Sequence, residues 1–139
     1  MLYYARGGEE ERIGDEELKA GLREALEKLG RRRKVIAVPP DITRLHSRAG
    51  TLTAAAYEHY GPALTDVMPA LGTHAPMTAS ERQLMYPEIP EGLFRVHDWT
   101  RDLTTLGEVP AEEVRRLSEG KLDFSWPAQV NSRLLQGEH

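Results

Sequence analysis

The stretch Lys34-Val35-Ile36-Ala37-Val38, followed at once by Pro39-Pro40, constrains this chain more than any other. A β-branched apolar run reads as a buried strand. Two prolines, with no N–H to donate and φ fixed, forbid the ladder from running on. The chain must therefore leave its sheet at Asp41, and whatever follows is a loop anchored to a strand end. Ahead of the strand, Leu18, Leu22, Ala25, Leu26 and Leu29 recur at intervals of three and four from Asp15 onward, and Gly30 is a stop signal. That pattern predicts a helix over 15–29.

The same alternation continues. Leu2-Tyr3-Tyr4-Ala5 reads as a short edge strand, and Gly7-Gly8-Glu9-Glu10-Glu11 as a solvated turn. Residues 51–60 are helical in pattern and end at Gly61-Pro62, which returns the chain to a strand around Thr65 to Leu71. Thr78-Ala79-Ser80-Glu81 has the spacing of a capping box and predicts a short helix to about Met85. Leu93-Phe94-Arg95-Val96 alternates like a strand, Pro110 opens a helix that Gly120 closes, and Val130 to Leu135 reads as a last strand. Strands alternating with helices predict a single α/β domain over residues 1–139, a Rossmann-like, mostly parallel sheet flanked by helices. In such sheets ligands sit beyond the carboxyl ends of the strands. Asp41, His74 and His97 each follow a predicted strand, so the three are expected to converge on one rim.

Composition removes several function classes. With 22 acidic against 18 basic residues the net charge is −4, and the one basic cluster, Arg31-Arg32-Arg33-Lys34, lies beside a helix end whose dipole cations complement. Nucleic acid is thus not the expected partner. No apolar run approaches the ~20 residues of a membrane span, and the N-terminus lacks the order of a secretory signal. The cysteine count is zero, which excludes thiol nucleophiles and thiolate metal sites; a cytoplasmic setting follows by default. There is no Gly-x-Gly-x-x-Gly, Walker loop, Gly-x-Ser-x-Gly elbow or His-Glu-x-x-His.

Chemistry concentrates in two loops. The first, from Pro39 to Gly50, packs a carboxylate, guanidinia, hydroxyls and an imidazole into one connection. Arg44 offers a planar fork for a carboxylate or phosphate, and Asp41 can orient it or bind a substrate hydroxyl. The structural alternative is equally weighted: Asp41 accepts backbone donors in a turn while Arg44 pairs locally. His46 and Ser47 stay outside the core assignment. In the second loop, Pro69 to Met77, Gly72 permits a close turn and the prolines stiffen the flanks. His74 is its natural general acid or base, since imidazole exchanges protons near neutrality; the alternative is a turn histidine bonded to a carbonyl. His97-Asp98-Trp99 reads as structural or as a support behind the site, because neighbours on a strand point to opposite faces and the pair need not interact. A metal site from His74, His97 and Asp41 is a minority reading.

Pro-Pro-Asp-Ile-Thr-Arg followed by Ala-Leu-Gly-Thr-His-Ala-Pro-Met resembles the N-terminal domain of the lactate racemase family. The likeness extends through His97-Asp98-Trp99 and Leu106-Gly107 to Val130-Asn131-Ser132-Arg133. That family uses a nickel-pincer nucleotide, whose pyridinium ring takes a hydride from the substrate's α-carbon while two histidines exchange the hydroxyl proton. The resemblance implies that His74 is one of these bases, that Arg44 binds the substrate carboxylate, and that Asp41 and Thr43 support binding. Gly72 and Thr73 are then the cofactor-binding residues. Leu45-His46-Ser47, where racemases of lactate often have proline, marks a divergent branch. In the family the second catalytic histidine, the tethering lysine and the nickel-ligating histidine lie beyond the point where this chain stops at Gln136-Gly137-Glu138-His139. The expectation is a fragment that lacks its C-terminal domain as partner and is inactive alone on a small 2-hydroxy acid. Two further readings are an anion-binding metabolite module using Arg44 and the Gly72-Thr73-His74 backbone, and a metal-dependent hydrolase.

Overall fold

A computed structural model describes residues 1–135; Gln136-Gly137-Glu138-His139 lie outside the described residues. The chain forms two compact units, Met1–His97 and the described residues from Asp98 onward.

In the first unit, α1 (Asp15–Leu29) follows its apolar periodicity to the residue. Its first turn carries Asp15, Glu16 and Glu17, which suits the positive helix end. The Glu17 carboxylate accepts a 3.0 Å hydrogen bond from the Gly14 N–H. At the other end the Gly30 N–H takes up the carbonyls of Leu26 and Glu27. The segment Leu2–Ala5 is not a strand. The Tyr4 ring instead covers Gly21, where a methyl group would stand 2.6 Å from the ring, and Lys28 Nζ donates to the Tyr3 carbonyl at 2.8 Å. The residues expected to pair with a sheet edge are satisfied by α1.

β1 (Val35–Ala37) pairs in parallel with β2 (Leu64–Val67). Between them run a 3-10 turn, Ile42–Ser47, and α2 (Ala49–Tyr60), which packs along α1. The predicted third strand at 93–96 is reduced to one parallel bridge, Val67 to Phe94. The Arg95 N–H reaches Val67 O, but the next rung would need an N–H from Pro69, which has none; the Arg95 guanidinium bonds the carbonyls of Phe94 and Gly92. The same guanidinium pairs with the buried Asp66 at 2.6 Å. The core is Leu64, Val67, Leu71, Met77, Met85, Tyr86 and Ile89, closed by Ala49.

α3 (Ala79–Met85) has the capping box read from sequence: Glu81 N–H donates to Thr78 Oγ1 and Thr78 N–H to Glu81 Oε2. The end of α3 sits hard against the start of α2, so that a Cβ on Gly50 would lie 2.1 Å from the Met85 carbonyl oxygen.

In the second unit, β3 (Leu103–Val109) and β4 (Trp126–Asn131) pair antiparallel, with α4 (Ala111–Leu117) between them in sequence. β3 was not read from sequence, because Gly107 and a register shift between Thr105 and Gly107 interrupt its alternation. β4 ends earlier than expected. Asn131 Oδ1 accepts the Arg133 N–H at 2.9 Å, which bends Ser132–Leu135 into a 3-10 turn. The α/β class is borne out, with the parallel sheet cut to two strands and an antiparallel pair beside it in the sequence. Among the described residues, no helix is long and apolar enough to cross a membrane.

Helix propensity alone says that Gly50→Ala stabilises by ~1 kcal/mol. The Met85 carbonyl reverses that sign: the extra methyl must push two helix ends apart, a cost of about 1–3 kcal/mol or more. Urea denaturation of Gly50→Ala is expected to show a lower midpoint at unchanged slope, and a raised midpoint would refute the contact.

Candidate functional site

The parallel ladder outlasts the strands. Met68 N–H donates to Ala37 O at 2.9 Å and Ala70 N–H to Pro39 O at 2.7 Å, with Pro40 bridged to Ala70. Parallel strands leave their sheet on the same side, so the loops after β1 and β2 begin side by side. This is what joins residues 33 positions apart.

Asp41 starts the first loop as the N-cap of the 3-10 turn. Its Oδ1 accepts from the Thr43 backbone N–H at 3.0 Å and from Thr43 Oγ1 at 2.5 Å. Its Oδ2 lies 2.5 Å from His74 Nδ1. The Asp41 side chain is 6% exposed and that of His74 58% exposed. The hydrogen bonds from Thr43, then the one from His74, hold the Asp41 carboxyl below the usual carboxylate range, against the opposing effect of burial. An ionised carboxylate only accepts, so Nδ1 carries the proton and the neutral ring keeps its lone pair on Nε2.

His74 is set by a tight turn. Leu71 is buried in the core, its carbonyl accepts the His74 N–H at 2.9 Å, and Gly72 between them has φ +58°. A side chain at Gly72 is disfavoured by that backbone angle, and open space surrounds the position. Gly72 and Thr73 are exposed beside His74. Arg44 donates its backbone N–H to Asp41 O at 3.0 Å, and its Nη1 stands 3.4 Å from Thr43 Oγ1. Among the described residues Arg44 has no carboxylate partner, so its charge is available at the surface.

Asp41, Thr43, Arg44 and His74 thus form one chain of contacts, flanked by Gly72 and Thr73. Of the alternatives weighed for Asp41, the structure shows the turn: its carboxylate accepts the Thr43 N–H and Arg44 contacts Thr43, with no Asp41 side-chain bond to Arg44, while the contact of Oδ2 with His74 was not among the expectations. The expected third member is not assembled with them. Among the described residues, no group of three or more His, Cys, Asp or Glu side chains is placed to hold a metal ion, so Asp41, His74 and His97 do not make a three-ligand site. Asp98 Oδ1 accepts from Thr100 N–H and Oγ1 in a turn. His46 is exposed, and Ser47 Oγ accepts the Ala49 N–H at the start of α2. Two residues escaped the sequence reading. Asp66 is buried with Arg95, and Tyr86 donates its hydroxyl to the Pro40 carbonyl at 2.5 Å. No local signal marks either one, since their partners are distant in sequence.

The donor set therefore fits proton transfer and anion binding, and among the described residues it does not supply a metal cage. No protein-family model matches the chain, and no curated protein matches it. One solved structure is similar: a protein from Thermotoga maritima, determined by the Northeast Structural Genomics Consortium, 28% identical over 90% of this chain with a TM-score of 0.72. The match covers 31% of that protein, so this chain spans about a third of its length.

The Asp41 carboxyl has a folded pKa below its ordinary value of 3.8. Its contribution to stability is therefore fully present above that value and lost as pH falls through the folded one. Asp41→Asn is expected to cost about 1–3 kcal/mol at pH 7, with the gap to wild type closing as both are acidified below about pH 4. A gap independent of pH in urea titrations would show that the charge contributes nothing.

Proposed function

We propose that this chain forms the proton-transfer and substrate-binding face of a nickel-pincer nucleotide-dependent racemase or epimerase of a 2-hydroxy acid. The observation that carries the reading is the Asp41–His74 pair, which leaves Nε2 as the basic nitrogen, beside an arginine without a carboxylate partner. The cofactor, when bound, supplies a hydride acceptor for the substrate's α-carbon. His74 Nε2 takes the hydroxyl proton as that carbon is oxidised to the keto level, and returns it when the alcohol re-forms. Asp41 keeps Nδ1 protonated and stabilises the imidazolium, as a carboxylate does behind any histidine base. Arg44 binds the substrate carboxylate through its guanidinium fork. Gly72 and Thr73 are the residues of this chain that would flank the nucleotide. The nickel ligands and the tether would come from residues other than those described, in a further domain. We take the reaction to be cytoplasmic.

The test is turnover by the protein that carries this chain, co-produced with the cofactor-making enzymes and assayed by chiral chromatography on a panel of 2-hydroxy acids. His74→Gln is expected to lower kcat by about 10²- to 10⁴-fold. Arg44→Lys is expected to raise KM about tenfold, because a point charge replaces a fork. Inversion at the wild-type rate by His74→Gln overturns the assignment. Hydroxy-acid binding that Arg44→Ala abolishes, with no turnover by any form, would replace it with an anion-binding module.

A further inference from the structure

Pro39 and Pro40 have no N–H, so their two carbonyls are the only backbone hydrogen-bonding groups that can hold the segment leading into Asp41. One is used by the sheet: Pro39 O accepts the Ala70 N–H. The other, Pro40 O, is held by a side chain 46 residues away, the Tyr86 hydroxyl at 2.5 Å. Tyr86 is itself rigidly seated. It is 2% exposed, its ring packs at 5.9 Å from that of Phe94, and its backbone is tied at both ends, N–H to Arg82 O and carbonyl to the Ile89 N–H. The helix that delivers it abuts Gly50 so closely that no methyl group fits between them.

We propose that Tyr86 is a positioning residue for the site: its hydroxyl, by holding the Pro40 carbonyl, sets the plane of the Pro40–Asp41 peptide and so aims the Asp41 carboxylate at His74. The peptide plane matters because Asp41 divides its oxygens between Thr43 and His74. A rotation about the peptide that preserved the Thr43 bonds would carry Oδ2 away from the imidazole. Burial, and then the nearby Asp41 charge, push the Tyr86 phenol above its ordinary range, so it remains a donor wherever His74 can work as a base. The inference rests on Asp41 and His74 as the working pair and is independent of which substrate they serve.

The experiment reads the ring nitrogens of His74 by ¹⁵N NMR in the absence of substrate, so a failed racemase assay would leave its outcome untouched. In the wild type the neutral ring is expected in the Nδ1–H form. In Tyr86→Phe, which keeps the ring and loses only the hydroxyl, the Nε2–H form should gain population, in the same sense as in Asp41→Asn and to a smaller extent. Phe94→Leu, which loosens the packing of Tyr86 but keeps its hydroxyl, should lower Tm and leave the His74 resonances in place. Resonances in Tyr86→Phe that superimpose on the wild type overturn the proposal, and so does an equal shift in Phe94→Leu. Should Tyr86→Phe fail to fold, 3-fluorotyrosine labelling decides. Of the 5 tyrosines, only Tyr86 bonds to the Asp41 loop. Its more acidic, stronger-donating phenol is expected to move the His74 Nδ1 resonance opposite to Asp41→Asn, and an unmoved resonance overturns the proposal.

Discussion

Two backbone hydrogen bonds just beyond a very short sheet, Met68 N–H to Ala37 O and Ala70 N–H to Pro39 O, hold the two candidate-site loops side by side. A two-stranded parallel sheet has little intrinsic stability; here α2 packs against both strands and Leu64 and Val67, of which almost nothing is exposed, fill the core. Its value is directional. Because the pairing is parallel and continues to the prolines, both chains depart from one edge in register. Asp41 and His74 then need only the first few residues of their loops to meet.

The meeting is electrostatically economical. A carboxylate as buried as Asp41 is costly unless its acceptor positions are filled. Thr43 fills one oxygen twice and His74 takes the other. The buried charge is thereby satisfied by one local and one distant partner, and the distant partner is the chemically useful one. His74 remains largely in solvent, so the pair joins a sheltered anion to an accessible base. Arg44 lies on the open side of the same loop. Such an arrangement suits a substrate that brings both a proton to give and a negative charge to hold.

The likeness to the Thermotoga maritima protein shows that this fold occurs in a longer chain. The fold by itself carries no chemistry. The functional reading rests on the two loops, and chiefly on which nitrogen of His74 is engaged, a question that only geometry answers.

Local chemistry made much of this protein legible in its sequence. The periodicity of Leu18 to Leu29, the Val-Ile-Ala run stopped by two prolines, and the Thr78–Glu81 box each act within a few residues, and each element formed where those signals placed it. The two loops also begin where the strand ends placed them, because parallel pairing brings both strand ends to one edge. Tertiary structure decided what depends on partners far away. It withdrew Leu2–Ala5 from any sheet by offering it α1, and cut the third strand to a single bridge to Val67. Among the described residues it placed no three-ligand metal group at His97, and it brought in Tyr86, which no local pattern marked. Above all it gave Asp41 its turn at Thr43 and, on the other oxygen, a partner in His74 that no local pattern named. A sequence shows which atoms can bond; only the folded chain shows which of them are within 3 Å of one another.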